Sequence, residues 1–110
     1  MSLGRDQFHL LHIRDAIVKV QQYVKGLTLA DFEKKDIRFD AIVMQVMIIG
    51  ESAKSLSEDF REKHAKMPWH QAVGLRNYIA HGYFDIKPAI VWKTIKEDLP
   101  KLKKQVDTLL

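Results

Sequence analysis

Leu10, Ile13, Ile17, Val20 and Val24 recur at alternating steps of three and four residues. That spacing gathers an apolar stripe on one side of an α-helix and does not fit a strand, whose faces repeat every second residue. No segment of the chain shows strand alternation, an internal repeat or a low-complexity tract. Each apolar stripe therefore has to be buried against another helix. The expected fold class is all-α: an antiparallel, up-and-down bundle of four main helices plus short ones. At 110 residues the chain is sized for one domain with one core, small enough that a partner would help bury surface.

Punctuation residues set the expected boundaries. Gly26 ends the first helix, and Thr28 with Asp31 three residues on reads as a capping box opening a short turn through Phe32. Asp36 or Asp40 starts a second long helix that runs to about Ser57. It carries Ala41, Ile42, Met44, Val46, Met47, Ile48, Ile49 and Ala53, apolar nearly all round. Such a helix is central, or faces a core on one side and a partner on the other. Residues 58–64 read as a short polar helix. Pro68 suits the first turn of a third helix over 68–81, which Gly82 stops by taking the left-handed cap conformation. Asp85 is expected to cap the next helix, with Lys87 and Pro88 in its first turn and Ile90, Val91 and Ile95 facing inward. Pro100 kinks or splits that helix, and Leu102, Val106 and Leu109 continue its stripe. Residues 1–6 are expected to be disordered or extraneous to the natural chain.

Composition removes several function classes. The longest apolar run, residues 46–50, is far short of the roughly 20 residues that span a membrane. The first residues lack the charged start, apolar stretch and cleavage site of a signal peptide, so a cytoplasmic location is expected, with no membrane partner. The chain has 0 cysteines, which excludes disulfides, thiol catalysis and thiolate metal sites. The net charge of +4 permits nucleic-acid binding without arguing for it. Lys93, Lys96, Lys101, Lys103 and Lys104 crowd the last quarter, either as a solvated helix face or as a track for phosphates.

Chemistry concentrates in residues 75–83, where Arg76, Asn77, His81 and Tyr83 bring a permanent cation, an amide, an imidazole and a phenol together. Arg76 and His81 are five residues apart, about 140° around a continuous helix, which is too far to share one face. That objection weakens if Gly82 lets the chain turn back at His81. From spacing alone two readings stand. His81 is a helix-end cation placed by the macrodipole and Arg76 a surface ion-pair former, or the pair forms a phosphate site with an acid–base group. Glu51, inside an apolar helix, needs a partner, and Arg76 is the candidate, in a plain ion pair or as support for a site. Trp69 reads as a core anchor. His9 and His12 lack a third ligand, so no metal is expected. No Gly-rich phosphate loop or other cofactor motif is present, so no cofactor is expected.

The ordered set Arg76-x4-His81-x-Tyr83, with Asn77 after the arginine, resembles the signature of the HepT-like branch of HEPN ribonuclease domains. The likeness extends to Lys25-Gly26-Leu27-Thr28 with Phe32, to Ile48-Ile49-Gly50-Glu51-Ser52-Ala53-Lys54, to Pro68-Trp69 with Gly74, and to Phe84, Ile90, Val91, Trp92 and Glu97-Asp98-Leu99-Pro100. It covers the chain from about residue 8. The resemblance implies a homodimer whose two motif copies face each other near the twofold axis, and metal-independent cleavage of RNA. Arg76 and His81 are then catalytic, Asn77 and Tyr83 position substrate, and Glu51 supports Arg76. Members of this branch are usually toxins neutralised by a minimal nucleotidyltransferase antitoxin, which transfers AMP to the motif tyrosine, here Tyr83. The alternative is a non-catalytic helical subunit that binds a nucleotidyltransferase and its nucleotide or substrate.

Overall fold

The apolar stripes meet in one helical core in the computed structural model of the chain, which describes residues 2–110. Seven helices follow in order among those residues: α1 (Ser2–Tyr23), α2 (Leu29–Glu33), α3 (Ile37–Ser55), α4 (Glu58–Lys63), α5 (Trp69–His81), α6 (Pro88–Glu97) and α7 (Leu99–Leu109). A 3-10 turn at Tyr83–Asp85 joins α5 to α6, and no strand occurs among the described residues. α1, α3, α5 and the α6–α7 pair are the four rods of the expected bundle. α3 is central, packed along α1 on one side and α5 on the other, while α7 returns onto α1 and α6 covers α2. The stripe of α1 is buried throughout, from Leu10 to Val24, and so is the inner face of α3: Phe39, Ile42, Val43, Val46 and Ile49. Each such side chain contributes about 1.5–3 kcal/mol on burial. No described helix is long and apolar enough to cross a membrane.

Local signals account for most boundaries. Gly26 takes φ 79°, the left-handed conformation that lets the chain leave α1. The Thr28–Asp31 capping box forms: the Asp31 N–H donates to Thr28 Oγ1 at 3.1 Å and the Thr28 N–H to Asp31 Oδ2 at 3.0 Å. Those bonds hold the Asp31 carboxyl below its ordinary range. Asp36, not Asp40, caps α3, accepting from the Arg38 N–H at 2.9 Å. Pro100 falls in the first turn of α7 and splits the last helix at Asp98.

Four expectations are corrected. Pro68 sits at the N-cap of α5, one residue outside the helix. Gly82 has φ −145°, so α5 ends without a left-handed cap. Asp85 does not cap α6. Its N–H bonds to the Gly82 carbonyl at 2.8 Å, closing the 3-10 turn, and Lys87 takes the cap position with Pro88 next. Ile90 is 46% exposed, because Val91, a step of about 100° further round the helix, takes the core position.

Two tertiary contacts fix the frame. Of the segment 1–6, Met1 lies outside the described residues, but Asp6 is 2% exposed on α1. Its carboxylate accepts from both the N–H and the Oγ–H of Ser57 at 2.7 Å each. Ser57 in turn caps α4 by accepting from the Phe60 N–H. Charge-assisted bonds of this kind make a buried carboxylate tolerable. The second contact is Gly50, where α3 meets α5. A Cβ there would lie 2.9 Å from the Ala72 carbonyl oxygen and would run into the Arg76 side chain. Gly50→Ala is therefore expected to destabilise the fold by about 1–3 kcal/mol through overpacking. Urea denaturation measures this, and an unchanged midpoint would show that the helices can separate at no cost.

Candidate active site

α5 turns Trp69, Leu75 and Ile79 into the core. Trp69 is the anchor its position suggested, with its indole N–H donating to the His64 carbonyl at 3.1 Å. Arg76 lies at the edge of that buried face, above Gly50. Its guanidinium forms an ion pair with Glu51 of α3, where Nε faces the carboxylate without hydrogen-bond alignment. Nη1 donates to Asn77 Oδ1 at 3.0 Å.

His81 is the last residue of α5 and is exposed. The helix runs unbroken through it, so Gly82 does not turn the chain back, and the separation of about 140° between Arg76 and His81 stands. Asn77 lies between them, about 100° from Arg76 and about 40° from His81, its neighbour one turn on. The three form an arc that runs from the α3-facing edge of α5 at Arg76 to its outer flank at His81. No hydrogen bond or ion pair among the described residues joins Arg76 to His81 within the chain.

Tyr83 follows in the 3-10 turn, 44% exposed. Its hydroxyl donates to Asp40 Oδ1 at 2.6 Å. That bond, then modest burial and the carboxylate charge, hold the phenol above its ordinary 10.0. In sequence Asp40 stands out only as a possible start of α3. The available signal was spacing: Asp40, Met44, Met47 and Glu51 step by four, three and four residues and so share the outer face of α3. Since Gly50 meets Arg76 and Asp40 meets Tyr83, α3 and α5 run antiparallel. Their groove has Arg76 with Glu51 near one end and Tyr83 with Asp40 at the other. Between them lies a cleft of about 380 Å³ floored by Val43, Met44, Met47 and Ile79.

Other candidates are occupied locally. Lys103 pairs with Asp107 at 2.8 Å and Lys96 lies 5.3 Å from the centre of the Trp92 ring. Both sit on α6 and α7, away from the α3–α5 groove. His9 and His12 pack against the Phe8 ring, and burial followed by the charge of Arg5 lowers the His9 pKa.

With this geometry in view, the chain's relatives fall into one class. The description of the ribonuclease HepT-like family matches residues 13–109, and the chain belongs to that family. A protein of Caldanaerobacter subterraneus subsp. tengcongensis with a provisional RNase designation is 39% identical over 102 residues, covering 93% of this chain and 91% of its own. A Methanocaldococcus jannaschii protein with the same kind of designation is 39% identical, over 89% of this chain and 90% of its own. A Thermococcus cleftensis protein provisionally designated ribonuclease HepT is 32% identical, over 92% of each. No solved structure matches the chain.

The Tyr83 bond has a direct test. In a residue-resolved NMR titration Tyr83 ionises above the ordinary 10.0, and Asp40→Asn returns it toward that value. The sign follows from the proton: the neutral phenol donates to Asp40. The stabilisation is therefore complete below the unfolded pKa and is lost as pH rises through the raised one. Ordinary titration in the unaltered protein would contradict the bond.

Proposed function

We propose that the protein is a metal-independent endoribonuclease, a single HEPN-like domain over residues 1–110 that works as a homodimer. The supporting observation is the arc Arg76–Asn77–His81 along α5 on a chain of a ribonuclease family. His81 takes the proton of the RNA 2′-hydroxyl as that oxygen attacks the adjacent phosphorus, and returns a proton to the 5′-oxygen that leaves. Arg76, preset by Glu51 and Asn77, meets the charge that develops on the phosphate. Asn77 and Tyr83 position the strand. Because Arg76 and His81 diverge on one helix, each complete site draws Arg76 from one copy and His81 from the other. Ile37 and Phe84, 82% and 92% exposed, are large apolar side chains that a second copy would cover.

The same reading makes the protein the toxin of a toxin–antitoxin pair, neutralised when a minimal nucleotidyltransferase transfers AMP to Tyr83. The exposure of Tyr83 leaves the phenol open to such an enzyme. A phosphate placed on it would bring negative charge into the groove and exclude the RNA backbone.

In excess chelator the purified protein is expected to cleave RNA. His81→Ala should lower the rate by about 10²–10⁴-fold while leaving the dimer intact on gel filtration. Unchanged cleavage in the variant would remove His81 from the mechanism. Absence of cleavage by the unaltered protein, together with tight binding to a nucleotidyltransferase, would favour the non-catalytic subunit. Intact mass after co-expression with a nucleotidyltransferase from the neighbouring reading frame should show AMP increments that Tyr83→Phe abolishes. Increments that persist in Tyr83→Phe would place the modification elsewhere.

A further inference from the structure

We propose that the cleft between α3 and α5 reads a guanine base of the RNA strand, with Asp40 as the reading residue. The inference rests on the reading that RNA is the substrate, and names which base the groove selects. The cleft combines a floor of Val43, Met44, Met47 and Ile79 with one polar pair at its rim, Asp40 and Tyr83. Apolar walls with few convergent polar groups are the usual make-up of a site for a flat organic ligand. Thioethers and a phenol ring are suitable faces for a planar base.

The charge of Asp40 narrows the choice. A carboxylate in the same groove as a phosphate-binding arginine repels the RNA backbone, so its favourable partner must be a donor and not a phosphate. Tyr83 is no phosphate donor either, because its only hydroxyl proton is committed to Asp40 at 2.6 Å. The phenol is held above its ordinary range, so that proton stays in place at neutral pH. What Tyr83 offers a strand is its ring. Asp40 keeps most of its acceptor capacity: an ionised carboxylate has about four lone-pair sites, and Oδ1 has used one on Tyr83.

Two carboxylate oxygens side by side match two N–H donors side by side. Single-stranded bases are read on their Watson–Crick edges. There guanine presents adjacent N1–H and N2–H donors. Adenine and cytosine each set a donor beside an acceptor, and uracil places its one N–H between two carbonyls. Guanine alone satisfies both oxygens of Asp40. Arg76 lies five residues before the end of α5, roughly 7.5 Å at the helical rise, and Tyr83 follows two residues further on in the 3-10 turn. The base read is therefore that of a nucleotide one or two positions from the scissile phosphate.

Short single-stranded RNAs that differ at one position near the cleavage site test the inference. Binding is measured on the His81→Ala dimer and cleavage on the unaltered protein. Guanine is expected to bind about 5- to 150-fold tighter than adenine, cytosine or uracil at that position. Inosine, which keeps N1–H and lacks the N2 amine, should fall between. Asp40→Asn should abolish the guanine preference and favour adenine, whose donor–acceptor edge matches an amide. Equal binding of all bases, or a guanine preference that persists in Asp40→Asn, overturns the proposal. Binding of 5′-GMP alone as tightly as the guanine-containing RNA overturns its assignment to a strand. Cleavage without base preference sinks this inference and leaves the ribonuclease reading standing. Guanine-selective binding without cleavage does the reverse.

Discussion

The close approach of α5 to α3 at Gly50 is the contact on which the rest of the groove depends. Without a side chain at Gly50, Arg76 can lie over the α3 backbone and bring its guanidinium to Glu51. A methyl group there would separate the helices at the level of Arg76. At the other end of the groove the turn that follows α5 brings Tyr83 to Asp40 of α3, and their hydrogen bond depends on the same alignment. One missing Cβ thus sets both the direction of the Arg76 guanidinium and the approach of the helices beside the cleft.

In the proposed homodimer, that frame is the reason each site draws on a second copy. α5 is regular through His81, so Arg76 and His81 leave it in diverging directions, and Asn77 bridges only part of the gap. A flexible helix end would let one chain close the site alone. A rigid one instead presents an arginine on one flank and a histidine on another, an arrangement that two facing copies would complete in the proposed homodimer. The exposed apolar residues Ile37 and Phe84 give such a contact something to bury.

Much of the fold could be read from local signals. The 3-4 stripe of α1, the Thr28–Asp31 capping box, the Gly26 turn and the Trp69 anchor each follow from residues within a few positions of one another. The departures lie at helix ends and helix phase: a 3-10 turn occupies Tyr83–Asp85 and moves the α6 cap from Asp85 to Lys87, Pro68 and Gly82 flank α5 without the cap geometry expected of them, and Val91 takes the core position in place of Ile90. Of the site, Arg76, Asn77, His81 and Tyr83 were visible as a cluster because they are close in sequence. Asp40 was not, because its partner lies 43 residues away and is set by the helix pairing. Asp6 and Ser57, 51 residues apart, were hidden for the same reason.

The proposed site combines Arg76 of one chain with His81 of another, and two inactive variants mixed together put that arrangement to the test. Arg76→Ala and His81→Ala dimers are each prepared, dissociated together and reassembled, and RNA cleavage is then measured. Mixed dimers hold one site with both groups intact, so activity is expected to return in the mixture. A mixture as inactive as either variant alone, with mixed dimers present by mass, would contradict it.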